Sequence, residues 1–273
     1  MSPVWGVSMM RNEEDIALPV LQHMISEGVN GLVIANNLST DRTGAILQEF
    51  KLSIESWKSI PIHLIEDPIE GYYQSEKMTG LAKIAAENGA EWIIPFDADE
   101  LWCGRSRPLA EILRETPLDV VGLEEWTHVK TDQDPTEPTR NIFQRMPWRR
   151  SAPSSYPKIA FRWHPHWRIH QGNDGILIQD KLADFPLLRE GVIHHFPARG
   201  YARFERKIRQ GARAMQLAPE LPLSWSAHWR EWGAVFDAEG PEGLHRIYRQ
   251  YFSYASTDGL VYDPAPWARF WRA

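Results

Sequence analysis

One cysteine, Cys103, stands in 273 residues, so an internal disulfide framework is excluded and a reducing compartment is the natural setting. No run of eighteen or more apolar residues occurs, so no segment reads as a membrane span. The opening Met1-Ser2-Pro3-Val4-Trp5 lacks the basic and long apolar stretches of a secretory leader, and the location expected is cytoplasmic. Excess charge is small as well. Thirty Lys and Arg against 36 Asp and Glu leave −6, too little of either sign for a nucleic-acid footprint across the whole surface. Internal repeats and low-complexity segments are absent. Tryptophan, by contrast, is plentiful: thirteen residues, most of them beyond Trp92. Each one packs a core by default, but as a group they suit the flat face of a sugar or a base.

The first hundred residues alternate between two periods. Val4 to Met9 is a short apolar run suited to a buried strand, and Ile16, Val20, Leu21, Met24 and Ile25 follow at helical spacing up to Gly28. Gly31 to Ala35 reads as a second strand. Ser39 is placed to cap a helix whose apolar face is Thr43, Ile46, Leu47 and Phe50. Ile62 to Ile65 is a third strand, 74–88 a third helix, and Trp92 to Phe96 a fourth strand. Such alternation with short loops predicts an α/β fold with a mostly parallel sheet and right-handed crossovers, which binds ligands at the carboxyl ends of its strands. Polar clusters fall there: Arg11-Asn12-Glu13, Asn36-Asn37, Asp67, then Asp97 and Asp99.

Beyond Asp119 the pattern loosens. Asp119 to Trp126 reads as one more strand, and 127–157 as a long loop rich in Pro and Arg. Strands resume at Lys158 to Trp163 and Gly191 to Phe196, and the chain then turns helical. The expected organisation is one α/β domain over 1–198 and a helical C-terminal extension over 199–273.

Two carboxylates at i and i+2 past a buried strand can share a divalent cation whose remaining ligands are phosphate oxygens, and the same spacing also makes a plain Asx turn. Arg11-Asn12-Glu13-Glu14-Asp15-Ile16, Asn36-Asn37-Leu38-Ser39-Thr40-Asp41-Arg42-Thr43 and Phe96-Asp97-Ala98-Asp99-Glu100, taken in order, resemble glycosyltransferase family 2. The resemblance covers roughly residues 4–104. It implies a GT-A nucleotide-binding sandwich and transfer from a nucleoside diphosphate sugar, UDP-sugar favoured, to a hydroxyl with inversion. Residue by residue it implies donor contacts from Arg11, Asn12, Glu13, Asn36, Asp67, Gln74, Lys77, Asp97 and Arg199. Mn²⁺ or Mg²⁺ would be held by Asp97, Asp99 and His195, the last chosen over His194 because neighbours on a strand face opposite ways. Asn36 departs from the family's usual Asp. Asp41 and Thr43 read most simply as helix caps.

Arg199, Arg203, Arg206, Lys207, Arg209 and Arg213 make the next helix basic, a face that mostly meets solvent, while Arg199, Arg203 and Arg206 recur at helical spacing and could grip a diphosphate. A general base for the acceptor is sought among Asp174, Glu124 and Glu125, with Asp174 and Glu125 preferred. A saccharide or glycoconjugate acceptor ranks first, with a nucleic-acid base as a second option. Two other readings stand beside transfer. A sugar-phosphate nucleotidyltransferase would need a Gly-rich phosphate loop after strand one, which is missing. A non-catalytic carbohydrate- or nucleic-acid-binding module would leave Asp97 and Asp99 without a role.

Overall fold

The computed structural model describes residues 2–137 and 140–271. The elements run β1 (Val4–Met10), α1 (Ala17–Ser26), β2 (Gly31–Asn37), α2 (Thr43–Lys58), β3 (Ile62–Asp67), α3 (Gln74–Glu87), β4 (Trp92–Pro95) and β5 (Glu100–Gly104). There follow α4 (Leu109–Glu115), β6 (Val120–Leu123), β7 (Glu125–Thr127), β8 (Lys130–Thr131), α5 (Ile142–Arg145), β9 (Trp148–Arg150) and β10 (Lys158–Arg162). The last are β11 (Trp167–Ile169), β12 (Ile176–Ile178), β13 (Lys181–Leu182), β14 (Gly191–His195), α6 (Tyr201–Gln216), α7 (Ala227–Tyr251), β15 (Ser253–Tyr254) and β16 (Leu260–Tyr262).

The expected α/β architecture with a mostly parallel sheet and a helical C-terminal region is present. The central sheet has the order β3-β2-β1-β4-β10-β6, its first four strands parallel and its last two antiparallel additions. β1 is buried on both faces except at Met9, as expected of a parallel strand covered by helices. Its alternation sorts the core. Val4 and Met10 join Leu32, Ile34 and Trp92 under α1, α2 and α4, whereas Trp5 and Val7 join Val33, Ala35 and Ile93 under α3. Gly28, at φ +84, takes the left-handed turn that ends α1. At Gly31 a side chain would strike the Trp5 indole at 2.6 Å, so only glycine lets that ring lie across β2.

Three details differ from the sequence reading. The strand expected over Asp119–Trp126 breaks at Glu124, because β6 pairs with β10 in the main sheet while β7 leaves to pair with β14. The 127–157 loop carries β8, α5 and β9, and its strands pair with β15 and β16. Ser39 does not cap α2. Its hydroxyl accepts the Asn12 amide at 3.1 Å, and Asp41 Oδ1 accepts the Thr43 amide at 2.9 Å instead.

A second sheet, β5-β14-β7, sets Glu100 opposite His195 and His195 opposite Thr127. Helices α6 and α7 pack through Phe204, Ile208, Leu244 and Tyr248, and α6 lies across the carboxyl edge of the main sheet. No helix among the described residues is long and apolar enough to cross a membrane.

Candidate active site

A cavity of about 470 Å³ opens at the carboxyl ends of β1, β2 and β4, a size that fits a small-molecule ligand. The sheet side contributes Met9, Arg11, Glu13, Asn37, Asp97 and Asp99. Gln74 and Lys77 come from α3, Glu125 and His195 from the second sheet, and Phe204, Lys207 and Ile208 from α6. Trp229 and Trp232 of α7, with His228, Phe252 and Tyr72, complete an aromatic wall.

Pro95 ends β4, and the chain turns so that the Glu100 amide donates to the Asp97 carbonyl at 3.1 Å. Both aspartates reach the cavity, but each is already matched. Asp97 Oδ2 lies 3.1 Å from Lys158 Nζ, and its Oδ1 accepts the Asn173 amide at 3.1 Å. Asp99 Oδ2 lies 2.5 Å from Lys207 Nζ, 3.7 Å from His195 Nε2 and 3.7 Å from Arg199 Nη1. Burial alone would raise the Asp99 carboxyl, but Lys207, His195 and Arg199 outweigh it and hold the group well below the usual carboxylate range. Glu100, inaccessible behind them, is pushed up to about 7 by burial, an effect that Lys158 at 3.0 Å only partly offsets.

His195 stands between two acids, Nδ1 3.1 Å from Glu125 Oε1 and Nε2 facing Asp99. Burial opposes its charge, yet Glu125 and Asp99 prevail and push the imidazole up to about 10, so it is an imidazolium at neutral pH. Glu125 is ionised: burial raises it, His195 more than compensates, and its carboxyl falls below the usual value. Glu125 Oε2 is buried without a hydrogen-bond partner. His194 points the other way, into the core, with Nδ1 2.9 Å from His128 Nε2. Since His128 Nδ1 faces the Met146 carbonyl at 2.7 Å, it carries the proton there, and His194 donates to His128.

The cavity gathers Arg11, Glu13, Gln74, Lys77, Asp97, Asp99, Glu125 and His195. Five other expected residues lie outside the cavity lining. Asn12 is buried at φ +57, where its side-chain oxygen accepts the Thr40 amide at 2.7 Å and ties the β1–α1 loop to the β2–α2 loop. Asn36 falls on the α2 face of β2 and donates to Glu66 at 2.9 Å, so alternation gives the cavity Asn37 instead. Asp67 works one layer back, holding Asn37 Nδ2 at 2.8 Å and Lys77 Nζ at 2.7 Å. Arg199, only 4% exposed, spends its guanidinium on Glu13, Asp15 and the Phe196 carbonyl. Asp174 lies outside the lining and pairs with His170 Nδ1 at 2.6 Å.

A divalent ion does not fit the expected trio. Among the described residues, ligand atoms of three His, Cys, Asp or Glu come within 4.8 Å of one another only at His23, Glu27 and Cys103. Asp97, Asp99 and His195 do not converge, and both ring nitrogens of His195 face carboxylates. At the core trio, His23 Nδ1 accepts the Ala268 amide at 3.0 Å and Nε2 meets the Trp102 carbonyl at 3.0 Å, so that ring is committed to the protein.

Lys158 was not anticipated as a site residue, and Asn37 was named only within the polar cluster that ends β2. Lys158 leads an apolar strand, a position that reads as an ordinary strand end, and only the antiparallel β10–β4 pairing brings it to Asp97.

No protein-family model matches the chain, and no curated protein matches it. Among solved structures it is similar to S. aureus TarS 1-349 in complex with UDP, at 13% identity and a TM-score of 0.42, over 91% of this chain and 73% of that one. S. aureus TarS gives 11% identity and a TM-score of 0.40 over 92% and 44%. HddC from Yersinia pseudotuberculosis gives 13% and 0.28 over 49% and 65%.

Proposed function

We propose that the protein transfers a sugar from a nucleoside diphosphate sugar to an acceptor hydroxyl, with UDP-sugar the favoured donor. One observation carries the reading. At the carboxyl edge of a parallel sheet, a single cavity brings together Asp97 and Asp99, cationic Arg11, Lys77 and Lys207, and an ionised Glu125 with an unpartnered oxygen.

In this reading the nucleotide lies over Met9, Arg11 and Asn37, and the diphosphate points toward Asp99 and α6. The acceptor enters along the aromatic wall of Trp229, Trp232 and Phe252, which suits the flat face of a saccharide or glycoconjugate. Glu125 takes the proton of the acceptor hydroxyl as that oxygen forms its bond to the anomeric carbon. The bond from that carbon to the diphosphate oxygen breaks, and its electron pair leaves with the nucleoside diphosphate. A single displacement of this kind inverts the anomeric centre. His195 holds Glu125 in place and Asp99 holds His195, so two side chains of the second sheet and one from the β4–β5 turn act as one unit.

The test is a mass-spectrometric screen of UDP- and GDP-sugars with oligosaccharide acceptors. Nucleoside diphosphate release that depends on Glu125 supports transfer. Oligosaccharide binding with no nucleotide binding and no release sinks it in favour of a binding module.

A further inference from the structure

Three lysines line the cavity, and they differ in how many of their ammonium hydrogens are free. Lys158 donates to Asp97 Oδ2 at 3.1 Å and to the Gly172 carbonyl at 2.7 Å, and its ammonium is ion-paired with Glu100 Oε1 at 3.0 Å. Lys77 is held by Asp67 and the Ile69 carbonyl. Lys207 reaches down from α6 with a half-buried side chain, 35% exposed, and among the described residues Asp99 is its one hydrogen-bond acceptor. Two of its three N–H groups are therefore available to a ligand.

Its position relative to Asp99 is that of a bound cation. Mg²⁺ sits about 2.0–2.1 Å from a ligand oxygen, and an ammonium 2.5 Å from Asp99 Oδ2 occupies the same approach. Arg199 and His195 bring two further positive charges to within 3.7 Å of that oxygen. Arg199 and His195 are themselves balanced by Glu13, Asp15 and Glu125, but a divalent ion entering there would have to displace the Lys207 ammonium from Asp99, and Asp97 is turned to Lys158 and Asn173. An ion and the ammonium cannot share that oxygen at these separations.

We propose that the Lys207 ammonium, positioned by Asp99, is the positive charge that receives the diphosphate, and that no divalent cation is needed. The inference rests on the nucleotide-sugar reading above and deepens it. Asp99 then serves as the anchor of a lysine rather than as a metal ligand. As the donor's glycosidic bond breaks, the negative charge gathering on the diphosphate oxygen is met by the two free N–H groups of Lys207. Catalysis by a fixed charge of this sort needs no ion to be recruited.

Calorimetric titration of the protein with UDP and with GDP, in EDTA and in Mn²⁺, tests this. The expected result is equal affinity in both buffers for the wild type. Lys207→Ala should weaken binding by roughly ten- to a hundredfold in EDTA, the scale of losing charge-assisted hydrogen bonds. Mn²⁺ should restore part of that loss, because the vacated Asp99 can then accept an ion, and Lys207→Arg should stay within about fivefold of wild type. A general loss of structure would show neither the rescue nor the conservative retention. Wild-type binding that appears only with Mn²⁺ overturns the inference and leaves the nucleotide reading intact. Binding of neither nucleotide in either buffer overturns both.

Discussion

Glu125 and Asp174 differ in what already holds them. Asp174 is spent on His170, while Glu125 lines the cavity and its Oε2 has no hydrogen-bond partner. Glu125→Gln should lower kcat by about a hundred- to ten-thousandfold, the usual worth of a general base, with UDP affinity nearly unchanged. Asp174→Asn should change kcat less than about threefold, and steady-state kinetics with a fixed acceptor separates the two. The pH profile follows from the neighbours. Glu125 titrates below its ordinary 4.5, so the base stays ionised through neutrality. His195, raised to about 10, orients that base only while protonated. Activity should therefore hold across neutral pH and fall as the pH passes about 10. In His195→Gln that alkaline limb should vanish, along with most of the rate.

At the scale of elements, β2 gives a paired experiment. Asn37→Ala removes the residue that shares a face with the cavity and should weaken UDP binding several-fold. Asn36→Ala removes a surface bond to Glu66 and should leave the titration unchanged. The opposite outcome would shift the register assigned to this strand. Helix α6 is held down at its start by Arg199, whose removal strands Glu13 and Asp15. Arg199→Ala should cost about 3 kcal/mol in urea unfolding, the low end for a broken buried pair because Asp15 keeps some solvent. What sequence could convey divides along the same line. Strands β1, β2 and β4 were legible because near-complete burial imposes continuous apolar runs, and the polar residues that follow or end them marked the cavity edge. Choosing Asn36 over Asn37 required the register, since both lie at one strand end and only pairing fixes which faces α3. The partners of Asp97 and Asp99 were less legible still. Lys158 and Lys207 lie 61 and 108 residues away in the chain, and no local period announces a contact of that length.

Three buried histidines tune the whole molecule. His23 is lowered to about 3 and His194 to about 4, and His128 falls well below its ordinary value, in each case chiefly because burial disfavours the charged ring. Between those values and 6.5 the unfolded chain binds more protons than the folded one, so stability falls as pH drops through that window. Glu27 and Glu100, both raised to about 7, act in the opposite sense, losing stability as pH rises from 4.5 toward 7. With His194→Asn, one histidine contribution disappears. Its Tm should decline less than the wild type's between pH 6.5 and 4, and parallel curves by calorimetry would refute the assignment.

The division of the chain at residue 198 also changes meaning at this scale. β15 and β16 return from beyond α7 to pair with β8 and β9, Trp267 Nε1 donates to the Pro19 carbonyl at 2.8 Å, and the Ala268 amide reaches His23. The opening helix is thus latched by a stretch synthesised some 245 residues later. During translation the part of α1 that Trp267 covers stays open until that residue has left the ribosome, so the first helix completes its packing only late in synthesis.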